Sequence, residues 1–200
     1  MPTDTAKIER WYDAKAEWEW NRTHQCRVEF AVTLRVVREH FPAPPAAVLD
    51  VGGGPGRYAI ALAEPGYRVT LLDLSAGCLD LARQQAAERR VPLAACVHGN
   101  ALDLAAFADA SFAAVLSLGP FYHLLTAAER QRALAEARRV LAPGGVLVAA
   151  FLCRFAAVRF WGHVRPEATA RELQREFAIL ATGVMSMGGA DPEAGGWVDA

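Results

Sequence analysis

Residues 47–74 read AVLDVGGGPGRYAIALAEPGYRVTLLDL, and the rest of the chain is arranged around them. The apolar run Val48 to Val51 has the character of a strand buried on both faces, and it opens through Gly52-Gly53-Gly54-Pro55-Gly56 into a helical pattern that runs to Ala63. A second apolar run, Val69 to Leu72, ends on Asp73. One strand, turn, helix, strand unit therefore sets a glycine loop and a carboxylate side by side at the carboxyl ends of two parallel strands, the crevice in which nucleotide-like ligands bind. Glycine belongs in such a loop because the backbone must approach a ligand closely and adopt positive φ.

The alternation continues outward from this unit. Ala76 to Arg90 has helical periodicity with Ser75 as its N-cap, and Pro92 breaks it. Leu93 to Val97 is a third strand ending at His98-Gly99-Asn100-Ala101, and Phe112 to Leu116 is a fourth ending at Ser117-Leu118-Gly119-Pro120. Thr126 to Leu141 is a helix opened by a capping box of Thr126 and Glu129; Pro143-Gly144-Gly145 then turns the chain into a fifth strand, Val146 to Phe151. Strands alternating with helices predict an α/β fold: a doubly wound, mostly parallel sheet with helices on both faces and right-handed crossovers. Upstream, residues 5–40 read as two helices divided near Asn21 to His24. Trp11, Tyr12, Trp18 and Trp20 crowd the first, and the second packs on the sheet until Pro42, Pro44 and Pro45 stop it. Downstream, a helix is expected over Glu167 to Ala181, and residues 182–200 are glycine-rich without a convincing strand.

Bulk composition narrows the function classes. Two hundred residues, 53% apolar with a net charge of −1, describe one globular domain able to bury a substantial core. No run of like charges offers a footprint for nucleic acid or an anionic membrane. The N-terminal MPTDTAKIER has no signal-peptide core and no later apolar run is long enough to span a bilayer, so a cytosolic protein is expected. Cys26, Cys78, Cys96 and Cys153 lie far apart, the pattern of reduced and mostly buried thiols rather than a metal site. Only Lys7 and Lys15 are lysines among 21 basic residues, a bias of GC-rich, bacterial coding sequences.

Two cofactor classes compete for the loop. Gly54 to Ala59 fits the G-x-G-x-x-A form of the dinucleotide fingerprint, which would make the protein a nicotinamide-dependent oxidoreductase. In that fingerprint, however, the first glycine follows the strand directly, whereas here Asp50-Val51-Gly52 comes first and the pattern is D-x-G-x-G-x-G. With that loop and the segments downstream of it, the sequence from about Tyr12 to Leu152 resembles the class I S-adenosylmethionine-dependent methyltransferases, within them the small bacterial methyltransferase-domain group. VLDVGGGPGRYAIALA resembles the family's first motif, LLDLS its second, HGNALDL its adenine-contact segment, FAAVLSLGPFYHL its fourth motif and RVLAPGGVLVAAF its last. Five such segments in order are far more specific than one glycine pattern.

The resemblance implies a sheet of order 3-2-1-4-5, S-adenosyl-L-methionine as cofactor and S-adenosyl-L-homocysteine as product. It places Gly52, Gly54 and Gly56 under the methionine portion, with Asp50 and Gly53 in the same loop, and Asp73 on both ribose hydroxyls with Leu74 beside it. Asn100 and Ala101 would flank the adenine, with Leu102 following; many relatives carry Asp at the Asn100 position. Leu118 would close the pocket near the sulfonium. Tyr12 falls where relatives have a tyrosine that closes over the cofactor, an assignment that competes with a plain core helix. Tyr122 and His123 stand where the acceptor approaches: His123 as proton acceptor or structural hydrogen-bonder, Tyr122 as a ring face to the sulfonium or as packing. The [DN]-P-P-[YF] motif of amino-group methylation on bases is replaced by Ser117-Leu118-Gly119-Pro120-Phe121-Tyr122, which favours a small-molecule acceptor, with neither nucleic acid nor membrane as partner. The family's usual seven strands would here be five, giving a helical cover over 1–42, a cofactor-binding core over 46–152 and a truncated or atypical segment over 153–200. The fifth strand would then be an exposed apolar edge, a route to a homodimer. A cofactor-binding protein without catalysis is the remaining alternative.

Overall fold

The structure is a computed structural model and describes residues 2–153. The N-terminal helices are α1 (Thr5–Gln25) and α2 (Arg27–His40). The α/β core comprises β1 (Ala47–Val51), α3 (Arg57–Ala63), β2 (Arg68–Asp73), α4 (Ala76–Arg89), β3 (Ala95–His98), β4 (Phe112–Ser117), α5 (Ala127–Val140) and β5 (Leu141–Ala149). All four strand pairings are parallel and the order is β3-β2-β1-β4-β5, as expected. The order reverses between β1 and β4. There the chains leave in opposite directions from the carboxyl ends, and the crevice opens.

Periodicity sorts the two faces. Val48, Val69, Leu71, Ala114 and Leu116 point to a cluster closed by Leu34 and Val37 of α2, Leu62 of α3 and Leu79 and Ala82 of α4. Leu49, Val51, Leu72 and Val115 point the other way, against Leu104, Phe112 and, from α5, Ala137 and Val140. Both expected caps are present. Ser75 accepts the Cys78 amide at 3.0 Å, and Thr126 and Glu129 form a reciprocal capping box.

Several expectations need correction. The two N-terminal helices divide at Cys26, whose φ of −93° and ψ of 51° leave the helical region, rather than over Asn21 to His24. The third strand is Ala95–His98, shifted two residues from Leu93, because Leu71 and Leu72 pair with Cys96 and Val97. The fifth strand begins at Leu141, not Val146. Leu141 pairs with Phe112 and Val146 with Ala114, so Pro143-Gly144-Gly145 form a bulge inside the strand, with Gly144 at φ 76°. Of the cysteines only Cys78 is fully buried: Cys26 sits at the helix junction, Cys96 on the edge strand, and Cys153 is exposed. The expected helix over residues 167–181 and the expected loss of two further strands lie outside the described residues. Among the described residues no helix is long and apolar enough to cross a membrane.

Candidate functional site

The carboxyl ends of β1, β2, β3 and β4 carry the expected residues, and register brings them together. Asp73 ends β2 opposite His98 of β3, and the Gly99 amide donates to its carbonyl at 2.9 Å. The Asp73 carboxylate accepts the Gly54 amide at 2.7 Å on Oδ2 and the Ser75 amide at 2.8 Å on Oδ1, which fixes the acid against the glycine loop. Only 7% exposed, it is pushed up to about 6 by burial, with the amides of Ser75, Gly54 and Leu74 working against the rise and the charge of Glu19 adding to it.

Asp50 lies deeper. It is 1% exposed, its Oδ2 has no hydrogen-bond partner among the described residues, and a side chain on Gly53 would begin 2.4 Å from that oxygen. Burial, then the charge of Asp73, pushes it up to about 7, against the hydrogen bond from the Ala59 amide. A buried acid with an orphan oxygen costs stability unless something outside the chain meets it.

The loop glycines differ in what lies over them. A Cβ on Gly52 would meet the Pro120 ring at 2.6 Å, and one on Gly56 would meet Ala82 of α4 at 3.0 Å. These two serve close packing of the β4 loop and of α4. A Cβ on Gly54, at φ 56°, would lie 3.7 Å from Cγ of Glu19, an ordinary contact, so neither a proline ring nor another helix crowds that position.

The adenine-contact segment forms a tight turn at the end of β3. Asn100 Oδ1 accepts the Leu102 amide at 2.9 Å, so one of the oxygen's two lone-pair sites is already engaged. Ala101 packs on the β-sheet face that holds Leu72 and Leu104, and Leu118 packs on the opposite face with Leu116. Arg139 of α5 donates to the Leu104 and Phe107 carbonyls at 2.8 and 2.9 Å, holding the loop that carries this turn.

Helix α1 crosses above all of this and is tied on both sides of the crevice. On the β4 side the Tyr12 hydroxyl and His123 Nε2 are 3.0 Å apart, and Thr3 bonds Glu129 through its amide at 2.7 Å and its hydroxyl at 3.0 Å. On the β2 side Asp13 Oδ1 accepts the Ser75 hydroxyl at 2.6 Å and the Gly77 amide at 3.0 Å. Tyr12 therefore joins α1 to the loop after β4. His123 is largely buried, its Nδ1 has no partner among the described residues, and burial drops it to about 4. It is a neutral imidazole at ordinary pH. Tyr122 packs its ring 4.7 Å from that imidazole, and burial pushes its hydroxyl up to about 12. Asp13, Glu19 and Arg22 of α1 escaped the sequence reading. Their only signal was a set of charges at helical spacing among tryptophans that need a surface to cover.

Comparison with known proteins agrees with this geometry. The family model described as "Methyltransferase domain" matches residues 48–145. The chain is 37% identical over 124 residues to a ubiquinone/menaquinone biosynthesis C-methyltransferase of Bradyrhizobium diazoefficiens, covering 59% of this chain and 46% of that protein. It is 38% identical over 102 residues to the tRNA 5-carboxymethoxyuridine methyltransferase of Escherichia coli K12, covering 50% of this chain and 38% of that one. The chain thus spans less than half the length of either relative. A solved structure of an S-adenosylmethionine-dependent methyltransferase from Methanosarcina mazei shares the fold with a TM-score of 0.62, at 24% identity over 82% of this chain and 74% of that one. With its parallel 3-2-1-4-5 sheet, its D-x-G-x-G-x-G loop and the acid that closes β2, the matched stretch, residues 48–145, is a methyltransferase domain with the fold of the class I S-adenosylmethionine-dependent enzymes.

Proposed function

We propose that this protein transfers a methyl group from S-adenosyl-L-methionine to a small-molecule acceptor. The observation that carries the reading is the Asp73 carboxylate, held by the Gly54 and Ser75 amides against the glycine loop at the carboxyl end of the sheet. The residues present fit the cofactor. Asp73 keeps lone pairs on both oxygens for the two ribose hydroxyls, Asn100 to Leu102 form the turn for the adenine, and Asp50 offers an orphan acceptor beneath the loop. Bound there, the cofactor supplies a sulfonium-activated methyl group for in-line displacement.

The chain's own part is alignment and exclusion of water. Gly54 lets the ligand rest on the backbone, Asp73 fixes its sugar, and α1 closes over both through Tyr12 and Asp13. Of the two roles open to His123, its neutrality and its bond to Tyr12 support positioning over proton abstraction, since a base of such low affinity for protons adds little driving force. Tyr122 would present its ring on the acceptor side, as an aromatic face suits a cationic sulfonium. A net charge of −1 without basic runs supports a small acceptor over a tRNA.

Thermal-shift measurement with S-adenosylhomocysteine and with NADH, then mass spectrometry of a metabolite extract incubated with protein and S-adenosylmethionine, tests the reading. Stabilisation by S-adenosylhomocysteine and a product 14 mass units heavier than its precursor are expected. Stabilisation by NADH instead would refute it, and cofactor binding without turnover over a broad acceptor panel would favour a binding protein.

A further inference from the structure

Between β3 and β4 the chain runs without a helix or strand of its own, and this stretch includes the turn set out for the adenine. Two side chains of α5 supply the order that it lacks. A guanidinium has five N–H donors in a planar fork, and Arg139 has a bond for each. Nε and Nη2 reach the Glu136 carboxylate at 3.1 and 2.9 Å, and Nη2 also reaches the Leu104 carbonyl at 2.8 Å. Nη1 donates to the Phe107 carbonyl at 2.9 Å and to the Asp109 carboxylate at 2.7 Å. Glu136, held by that fork, accepts the Leu104 amide at 2.8 Å on Oε2, and the Arg139 carbonyl accepts the Ala110 amide at 2.9 Å.

On an open helix surface an ion pair three residues apart adds little to stability. This pair takes both main-chain groups of a single residue, and the side chain of that residue, Leu104, is 1% exposed in the core against Ala137 and Val140 of the same helix. Leu104 can therefore neither turn its peptide planes nor slide along α5. It follows directly on the turn. The Asn100 carbonyl accepts the Asp103 amide at 2.9 Å and Asn100 Oδ1 accepts the Leu102 amide at 2.9 Å, so the placing of Leu104 is passed back to the Asn100 side chain. The second lone pair of that Oδ1 is what an exocyclic amine would meet. An acceptor tells an amino from an oxo group only when it cannot move away from the wrong one.

We infer that Arg139 and Glu136 are positioning residues for purine selectivity: by gripping the amide and the carbonyl of Leu104 they hold the Asn100 to Asp103 turn where it accepts from the 6-amino group of adenine and sets a 6-oxo group against an unpaired acceptor. The inference rests on the methyltransferase reading. Both residues act through Leu104 and the turn, not at the purine itself. Lysine is no substitute for Arg139, because an ammonium is a compact point charge and cannot serve two carbonyls and two carboxylates from one plane.

Paired ligands isolate the effect. S-adenosylhomocysteine and S-inosylhomocysteine share the ribose and the amino-acid end and differ in the purine, amino against oxo. Isothermal titration of wild type, Arg139→Lys and Glu136→Gln with both ligands is the experiment, with amide hydrogen exchange read over residues 101–105. Wild type should prefer the adenosyl ligand by about tenfold or more. Arg139→Lys should weaken that ligand about three- to tenfold, the size of a hydrogen bond put out of line, and leave the inosyl ligand nearly unchanged, while exchange over 101–105 quickens. Glu136→Gln keeps one oxygen for the Leu104 amide and should lose a smaller part of the preference; it decides the matter if Arg139→Lys does not fold. A pair that served stability alone would weaken both ligands by one factor. Equal weakening, an unchanged preference, or wild type that does not discriminate between the two purines overturns the inference and leaves the methyltransferase reading intact. Wild-type protein that binds neither ligand removes the reading itself and the inference with it.

Discussion

Replacing Gly52 and Gly54 one at a time by alanine should produce opposite defects. Both lie at positive φ, 66° and 56°, where a Cβ costs about 1–2 kcal/mol. At Gly52 the new methyl would also meet the Pro120 ring at 2.6 and 2.7 Å, and overpacking of that kind adds about 1–3 kcal/mol. The Gly52→Ala total is then about 2–5 kcal/mol, a large share of the roughly 5–15 kcal/mol that holds a domain folded. At about 2–4 °C per kcal/mol for a chain of this size, its melting temperature should fall by roughly 4–20 °C. At Gly54 the nearest atom is 3.7 Å away, so only the conformational cost remains and the fall should be roughly 2–8 °C. The methyl of Gly54→Ala would instead stand in the cradle, and S-adenosylhomocysteine affinity should drop about tenfold or more. Differential scanning fluorimetry and isothermal titration on both variants provide the readings. If Gly54→Ala destabilises more than Gly52→Ala, or if Gly52→Ala loses more affinity than Gly54→Ala, the assignment of one glycine to packing and the other to the ligand is wrong.

The same geometry sets other outcomes. S-adenosylhomocysteine affinity should be flat above pH 7 and fall as pH drops through about 6, because protonation of Asp73, whose folded-state value is raised, removes an acceptor the bound ribose needs; Asp73→Asn should bind weakly and without that pH dependence in titrations from pH 5 to 8. Tyr12→Phe leaves Nε2 of His123 without its partner at 3.0 Å and should cost about 1 kcal/mol, seen as faster amide hydrogen exchange along α1 and faster release of S-adenosylhomocysteine. Slow exchange in that variant would mean the Asp13 side alone holds the cover. Thr126→Ala removes the capping box of α5 and should lower stability by about 1 kcal/mol in denaturant titrations; because Glu129 of that box also receives Thr3, amide exchange at the start of α1 should quicken with it. Unchanged exchange at the start of α1 would mean that Glu129 holds Thr3 without the box.

What the sequence determined by itself was the alternation of strands and helices and the place of the crevice, while the strand order came from the family resemblance. Buried parallel strands leave unbroken apolar runs, caps and prolines mark helix ends, and a glycine loop after β1 with an acid after β2 is a local pattern, so Val48 to Asp73 could be read without knowing any contact. Local signals also fixed Ser75 and Thr126, because a cap bonds amides two or three residues away. They failed at Leu141, where pairing with Phe112 of another strand overrides the turn propensity of Pro143-Gly144-Gly145. Only the tertiary structure decided which glycine is tightly packed and which is not, since Pro120 and Ala82 reach Gly52 and Gly56 from distant parts of the chain. It alone set Tyr12 on His123, 111 residues on, and turned Glu19 and Arg22 from an ordinary helical ion pair into one hung over Gly54. Periodicity says which side of a helix is apolar, but which polar group is buried, and against what, is settled only when the elements dock.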